Sequence, residues 1–256
     1  MLTKDLAICI RAVDFSETSQ VVTFFARDTG KISAIAKGSK RPKSAFDGPI
    51  EVFAFGEIVF SDTTRDKLAT LTEFQQQPSL THPAKNLFAL DCCLFAAELL
   101  NGMIDDYDPH PPLFERFLQF LKNSQVTGHQ SRDTISLLIL FQLALLKEAG
   151  LMPILDYCVN CKTRYERRAE PAPSGVEGSG EVYFSSSANG LVCRDCEPTF
   201  PDKVRLSKEA ATCLANLRQI PDAAEETLTE IEKILIRHFT DLLGRPPKMA
   251  KHILGN

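Results

Sequence analysis

The chain has 256 residues, of which 44% are hydrophobic, and a formal net charge of −4 at pH 7. This composition is typical of a water-soluble protein with one large domain or two to three small ones. The longest apolar stretch, 135–146, contains Ser136 and Gln142 and is shorter than the roughly 18 to 20 residues that span a bilayer. The first residues show no export signal. We therefore predict a cytoplasmic protein without a membrane segment.

The first third of the chain has the pattern of a small β-barrel. Short runs of β-branched and aromatic residues alternate with turn residues, which predicts strands at 6–13, 20–26, 31–37, 50–60 and 67–74. Asp28-Thr29-Gly30 predicts a hairpin turn, because glycine adopts positive φ without strain. Five short strands joined by tight turns favour a barrel domain over residues 1–79.

A basic segment lies within this predicted barrel. Residues 27–43 carry a charge of +5, which leaves −9 for the rest of the chain. The six cations are Arg27, Lys31, Lys37, Lys40, Arg41 and Lys43. Charge runs are usually solvated surface, but small barrels of the oligonucleotide-binding (OB) type bind nucleic acid through such loops, so we expect DNA binding here.

Five phenylalanines in the barrel segment are candidates for stacking on bases. We expect most of them in the core, because a small barrel needs large side chains inside. They are Phe24, Phe25, Phe46, Phe53 and Phe55. The chain contains no tryptophan, so the sequence predicts no obvious stacking residue.

After Pro78 the pattern changes to helix. We predict helices at 86–104, 113–121, 133–149, 207–219 and 222–243. Ser131 can cap the third helix and Gly150 can end it. Apolar residues recur at helical spacing in the last helix, so we expect it to pack against the others. These elements predict an α-helical bundle formed by residues 80–154 and 203–256.

Two Cys-x-x-Cys pairs, Cys158/Cys161 and Cys193/Cys196, lie between the helices. Each pair directs two sulfurs to one point, and two pairs complete the tetrahedral four-cysteine site typical of Zn²⁺. A catalytic zinc keeps a position open for water, so this zinc is predicted to be structural. We predict a zinc module over 155–200, with a linker-like stretch at 169–180. The other four cysteines, Cys9, Cys92, Cys93 and Cys213, are expected to be buried.

No catalytic motif is present in the sequence. A phosphate-binding loop, a nucleophile elbow and a His-Glu-x-x-His motif are all missing. We expect the five histidines at the surface or in loops. Asp105, Asp106 and Asp108 follow a predicted helix and are expected to form a solvated turn. We therefore expect that the protein is not an enzyme, with a zinc-dependent nuclease as the rival to test.

Several stretches resemble one family. Ala12-Val-Asp-Phe-Ser-Glu-Thr18 and the run from Ala36 to Phe46 resemble the amino-terminal domain of the RecO family of bacterial recombinational repair proteins. Glu148-Ala-Gly-Leu-Met-Pro153, the cysteine pairs and Leu242-Leu-Gly-Arg245 follow in the order expected for that family. The resemblance covers nearly the whole chain. It implies an α+β architecture with an OB-fold barrel, a helical domain and a zinc module.

The resemblance also implies an activity and partners. RecO proteins bind single- and double-stranded DNA, anneal complementary strands, and act with RecR to help RecA load on DNA coated by single-stranded DNA-binding protein. The basic residues of their barrel map onto Lys37, Lys40, Arg41 and Lys43, whereas Arg27 and Lys31 are weaker candidates. Such a protein works at the bacterial nucleoid. The alternative from another class is a zinc-ribbon adaptor that binds only proteins.

The helical domain of RecO proteins receives the tail of single-stranded DNA-binding protein. That tail is acidic and apolar, so its groove needs cations. Candidate cations in this chain are Arg116, Lys122 and Arg132, none of which matches a motif.

Overall fold

The computed structural model describes residues 2–41, 44–46, 48–61, 68–77, 86–126, 131–165 and 181–254. Its contacts divide the chain into two compact units, Met1–Gly128 and His129–Asn256. The first unit contains the barrel and two helices, and the second contains the remaining helices and the cysteine pairs. The assignment of all helices to one domain, 80–154 with 203–256, remains a prediction.

Five strands form the barrel of the first unit. They are β1 (Leu2–Asp14), β2 (Gln20–Ala26), β3 (Gly30–Ala36), β4 (Phe55–Ser61) and β5 (Ala69–Gln76). The strand order is β1-β2-β3-β5-β4, and β4 pairs with β1 to close the barrel. The pairing of β3 with β5 is parallel, whereas the other pairings are antiparallel. This is the five-stranded OB fold, so the predicted barrel is confirmed.

The hairpin between β2 and β3 is held by a glycine and a buried carboxylate. Gly30 has φ +83°, and a Cβ at this position would collide with the backbone of Asp108. The side chain of Asp5 accepts hydrogen bonds from the backbone N–H groups of Asp28 at 3.1 Å and Thr29 at 2.7 Å. The predicted Asp28-Thr29-Gly30 turn is therefore confirmed, with long-range support from β1.

Strand β1 contains a β-bulge that changes which side chains face outward. Its register with β2 shifts between Cys9 and Arg11, so that Cys9 lies in the barrel core whereas Arg11 pairs with Thr23 on the outer face. A bulge adds one residue and resets the alternation of side chains. Arg11 and Val13 consequently point away from the barrel and are exposed.

Helices α1 (Leu87–Met103) and α2 (Pro111–Val126) complete the first unit. The ring of Phe25, on the outer face of β2, lies 5.8 Å from that of Phe114 and 6.5 Å from that of Phe117 on α2. Helix α2 is longer than predicted at both ends: it continues to Val126, and it begins at Pro111, since proline suits the first turn of a helix. Part of the outer face of the barrel is thus covered by helix.

The second unit contains four helices and a three-stranded sheet among its described residues. The helices are α3 (Ser131–Glu148), α4 (Lys208–Ala215), α5 (Glu225–Leu243) and α6 (Ala250–Ile253). The strands are β6 (Val182–Ser185), β7 (Gly190–Cys193) and β8 (Val204–Leu206), in the order β7-β6-β8. Helix α3 packs against α5. In the part of the chain that the structure describes, no helix is long and apolar enough to cross a membrane.

Several helix ends in this unit differ from the predictions by one to four residues. The predicted helix 207–219 stops at Ala215, since Asn216 leaves helical geometry, and continues as a 3-10 helix over Leu217–Asp222. Ser131 is the first residue of α3, and its hydroxyl donates a 2.6 Å hydrogen bond to Glu225. Gly150 ends α3 with φ +72°, as predicted.

Candidate nucleic-acid interface and metal centre

The cations of the basic segment lie at two different ends of the barrel. Arg27 and Lys31 flank the β2–β3 hairpin, whereas Lys37, Lys40 and Arg41 follow the other end of β3. Six residues separate Lys31 from Lys37 along the strand, which corresponds to roughly 20 Å at about 3.3 Å per residue. Lys43 lies outside the described residues. The run of charge in the sequence is therefore not one patch in the fold.

Arg27 and Lys31 interact with the helices of their own unit. The ammonium group of Lys31 donates to the carbonyl of Asn101 at 2.8 Å and pairs with Asp106 at 3.2 Å, and its side chain is only 12% exposed. Arg27 pairs with Glu115 at 3.2 Å. These contacts hold the barrel against α1 and α2, and they leave Lys31 little surface for a ligand.

Lys37, Lys40 and Arg41 form a loop at the opposite end of the barrel. Lys37 and Arg41 are exposed, and neither has an ion-pair partner among the residues that the structure describes. Lys40 differs, because its ammonium group lies 2.6 Å from the carboxylate of Asp14 and its side chain is 28% exposed. In the described part of this loop, Lys37 and Arg41 are therefore available to a ligand, whereas the charge of Lys40 is neutralised by Asp14.

The outer face of β1, β2 and β3 is uncovered next to this loop. Val13 pairs with Val21, and Val21 with Ile35, so the three side chains form an apolar row. Arg11 lies on the same face of β1, and Lys37 lies on the same face just past the end of β3. We call these five residues the open face. Arg11 was not among the residues predicted from the sequence, because only the bulge places it on this face.

The phenylalanines named as stacking candidates are all buried. The exposed fraction of each is 6% or less. The expectation that most of them are buried is confirmed, but only Phe24 and Phe46 belong to the core cluster of the barrel, whereas Phe25 and Phe55 pack against Phe114 of α2. In the part of the chain that the structure describes, the exposed large apolar side chains include one aromatic residue, Phe15 in the β1–β2 turn.

The four cysteines of the two Cys-x-x-Cys pairs come together in the second unit. Cys158 and Cys161 lie in a turn after α3, whereas Cys193 ends β7 and Cys196 lies in the turn that follows. Their four sulfur atoms lie within 4.8 Å of one another. The sulfurs of Cys161 and Cys193 are 3.7 Å apart, close to the roughly 3.8 Å of a tetrahedral site with metal–sulfur bonds of about 2.3 Å.

Backbone geometry brings the two pairs to this spacing. Gly190, at the start of β7, approaches the preceding turn so closely that a Cβ there would lie 2.5 Å from the carbonyl oxygen of Ile154. The N–H of Leu191 also donates a 2.9 Å hydrogen bond to that carbonyl. Residues 186–189 form the turn between the antiparallel strands β6 and β7, so that Gly190 pairs with Ser185. Residues 166–180, which include the predicted linker stretch, lie outside the described part of the chain.

The pKa values of three of these thiols differ from that of a free cysteine. Hydrogen bonds with Thr163 lower the pKa of Cys161 to about 6. Burial disfavours the thiolate of Cys158, but backbone hydrogen bonds, the first from Cys193, outweigh it and lower that pKa. Burial, together with the neighbouring sulfurs, raises the pKa of Cys193 to about 12. A divalent cation would offset this crowding of negative charge, so the four residues can hold a metal ion.

The remaining candidate residues do not form a second site. Asp106 pairs with Lys31 and Asp108 with His110, and within the described residues the four cysteines are the only cluster that could hold a metal ion. The prediction that all histidines lie at the surface or in loops is wrong for His238, which is fully buried in α5. Its Nδ1 lies 2.8 Å from the hydroxyl of Ser186, and burial lowers its pKa.

The cysteines outside the two pairs are buried, as expected.

The three candidate cations for the tail of single-stranded DNA-binding protein do not lie on one element. Arg116 and Lys122 are on α2, whereas Arg132 is on α3, where its guanidinium donates to the carbonyls of Ala223 at 2.8 Å and Pro221 at 2.7 Å. Arg132 thus anchors the turn before α5.

The barrel and the four clustered cysteines together define an OB-fold protein with a second unit that is able to hold a metal ion. The family model described as "Recombination protein O N terminal" matches residues 1–77, and "Recombination protein O C terminal" matches residues 84–251. The chain therefore belongs to the RecO family, whose role is in DNA repair and recombination.

Three relatives illustrate the similarity. DNA repair protein RecO of Rhodopirellula baltica is 31% identical over 245 residues, which cover 96% of this chain and 83% of the relative. DNA repair protein RecO of Bacillus subtilis is 28% identical over 251 residues, which cover 95% of this chain and 91% of the relative. That of Anaeromyxobacter sp. (strain K) is 30% identical, with 93% and 90% covered. The similarity thus extends over both units.

Proposed function

We propose that the barrel unit binds single- and double-stranded DNA and promotes annealing of complementary strands. The observation that carries this proposal is the open face of an OB fold, whose exposed cation Lys37 is in the same loop as the exposed Arg41. OB folds bind oligonucleotides on the face of strands 2 and 3 and on the adjoining loops. Lys40 belongs to the same loop, and we expect it and Lys43, which lies outside the described residues, to add to the positive potential there.

The mechanism is electrostatic. Lysine and arginine side chains replace the counterions condensed on phosphates, and the released ions supply much of the binding free energy. Neutralised strands repel each other less, so two strands held on the protein can pair. This needs neither ATP nor bond cleavage, and we infer that the protein is a mediator rather than an enzyme.

We further propose that the four cysteines bind Zn²⁺. Four thiolates in a closed tetrahedral site are typical of structural zinc, which supplies folding free energy and leaves no position open for water. Cys158 and Cys161 would anchor the turn after α3, and Cys193 and Cys196 would anchor the end of β7.

Family membership supports partners for this activity. We propose that the protein acts with RecR at the bacterial nucleoid to help RecA load on DNA coated by single-stranded DNA-binding protein. Arg116 and Lys122 remain candidates for contact with the acidic tail of the latter, whereas the backbone contacts of Arg132 make it a weaker one.

The direct test uses the full chain and two complementary labelled oligonucleotides. We expect binding of each single strand at low salt, loss of binding as salt rises, and annealing without nucleotide or Mg²⁺. If the protein fails to bind either strand at low salt, DNA binding is refuted and the zinc-ribbon adaptor is favoured. Shortened products in the presence of Mg²⁺ or Mn²⁺ would instead reveal a nuclease.

A further inference from the structure

Phe15 is an aromatic side chain that the fold places in solvent. It follows β1 directly and is 65% exposed, whereas the phenylalanines of the barrel interior are almost fully buried. Exposing a phenylalanine ring costs roughly 2 kcal/mol relative to burying it. Packing of the barrel core therefore does not explain why the ring of Phe15 is exposed at this end of the barrel.

The turn that carries Phe15 is closed by its own hydrogen bonds. The backbone N–H of Phe15 donates to the carbonyl of Ser19 at 2.9 Å. The hydroxyl of Ser16 accepts hydrogen bonds from the N–H groups of Thr18 at 3.4 Å and Ser19 at 3.2 Å. These short-range bonds span residues 15–19, so the backbone of the turn is ordered before any ligand binds.

The same turn is joined to the basic loop. Lys40 donates from its backbone N–H to the carbonyl of Thr18 at 3.1 Å, and Gly38 donates to the hydroxyl of Ser19 at 3.2 Å. The ion pair of Lys40 with Asp14, the residue before Phe15, adds a third tie. The backbone of the turn and that of the loop are consequently held in a fixed relation.

The charges around the ring suit a polyanion. Arg11, Lys37 and Arg41 are exposed cations near the turn, and Asp14 is neutralised by Lys40. Glu17 is the exposed acid within the turn. Cations next to an apolar ring match a single strand, in which phosphates need positive charge and unpaired bases need a surface to stack on.

We propose that Phe15 stacks on an unpaired base of single-stranded DNA whose phosphates contact Lys37 and Arg41. This proposal rests on the proposed DNA binding and adds to it the residue that selects single strands. In a duplex the base faces are already stacked on each other, so the ring has no partner there. The stacking contact therefore favours single strands, whereas the cations act on both forms.

The chain offers a clean probe, because it contains no tryptophan. We would prepare Phe15→Trp, whose single indole reports on its surroundings, and Leu87→Trp as the control. Leu87 is also an exposed apolar residue, at 73%, and it lies at the start of α1, outside the turn and loop. Both variants are titrated with oligothymidylate, with an abasic strand of the same length, and with duplex DNA.

We expect oligothymidylate to quench the emission of Phe15→Trp and to leave that of Leu87→Trp unchanged. The abasic strand and the duplex should bind without such quenching. Phe15→Ala should weaken single-strand binding roughly 5- to 140-fold without changing its salt slope or the affinity for duplex. Because the ring is exposed, this variant should fold normally, which circular dichroism verifies.

Two outcomes separate this proposal from the one on which it rests. If the wild-type protein binds DNA but Phe15→Trp is not quenched, or Phe15→Ala binds single strands as tightly as wild type, the stacking role is refuted and DNA binding stands. If the wild-type protein does not bind DNA at low salt, both proposals are refuted together.

Discussion

The part that a lysine plays in this protein depends on the atoms next to its ammonium group. Lys31 contacts the carbonyl of Asn101 and the carboxylate of Asp106, so its charge stabilises the junction between the barrel and α1. Lys40 is paired with Asp14 and orders a loop. Lys37, which follows the far end of β3, is exposed to solvent. Only a solvent-exposed cation such as Lys37 is fully available to a phosphate.

Glu232 is a buried carboxyl whose ionisation opposes folding. It accepts a 2.7 Å hydrogen bond from Gln142, but burial raises its pKa to about 8. A pKa above the value in the unfolded chain, about 4.3, means that the folded state holds the proton more tightly. The stability that this proton provides is complete below the unfolded pKa and is lost as pH rises toward 8.

Glu232→Gln should remove this pH dependence. Between about pH 6.5 and 8.5 the free energy of unfolding of the wild-type second unit should fall by about 2 kcal/mol from this group alone, and the variant should lack that fall. Urea unfolding across the window measures it. Glu226→Gln, an exposed change on the same helix, should keep the wild-type slope. An equal slope in wild type and Glu232→Gln would contradict the assignment.

At the scale of elements, the predictable features are those set by local sequence. Strand β2 has the predicted bounds, 20–26, and the hairpin at Gly30 follows from its own turn residues. The sequence predicts the fourth strand from residue 50, whereas β4 begins at Phe55. Phe53 adopts φ +71° and its N–H donates to the carbonyl of Cys9 at 2.7 Å. This contact joins the turn before β4 to the bulge in β1.

The candidate site likewise has parts that local sequence predicts and parts that depend on long-range contacts. The cysteine spacing predicts the cluster because each pair is a local turn. The open face could not be predicted, since the bulge that exposes Arg11 depends on a pairing with distant residues. Likewise, the carbonyl that Lys31 contacts lies 70 residues along the chain. Charge counted along the sequence therefore could not separate the two groups of cations.

The metal module gives a prediction for the second unit. Cys161 is exposed, so Cys161→Ser removes a ligand with little loss of packing. We expect about one Zn²⁺ per chain in the wild type, much less in the variant, and a lower melting temperature for the second unit. Metal analysis and calorimetry measure both. Cys213→Ser, a buried change outside the cluster, should keep its zinc, and an unchanged zinc content in Cys161→Ser would contradict the site.

At the scale of the whole molecule, the protein is acidic, and the exposed cations Lys37 and Arg41 lie at one end of the OB fold. Net negative charge repels a polyanion, so contact with DNA should be confined to the surface where cations outnumber acids. We propose that the barrel unit supplies the DNA contact and that zinc stabilises the module in the second unit. Loss of zinc should accordingly change stability more than affinity for single strands.

The most direct test of this account is the salt dependence of single-strand binding in Lys37→Gln/Arg41→Gln, compared with Lys147→Gln/Lys208→Gln. The control removes the same charge from exposed positions in the second unit. We expect the first variant to bind more weakly and its logarithmic salt slope to fall by roughly 1.4, at about 0.7 per phosphate contact, with the control unchanged. Wild-type affinity and slope in Lys37→Gln/Arg41→Gln at low salt would contradict the claim that this end of the barrel binds DNA.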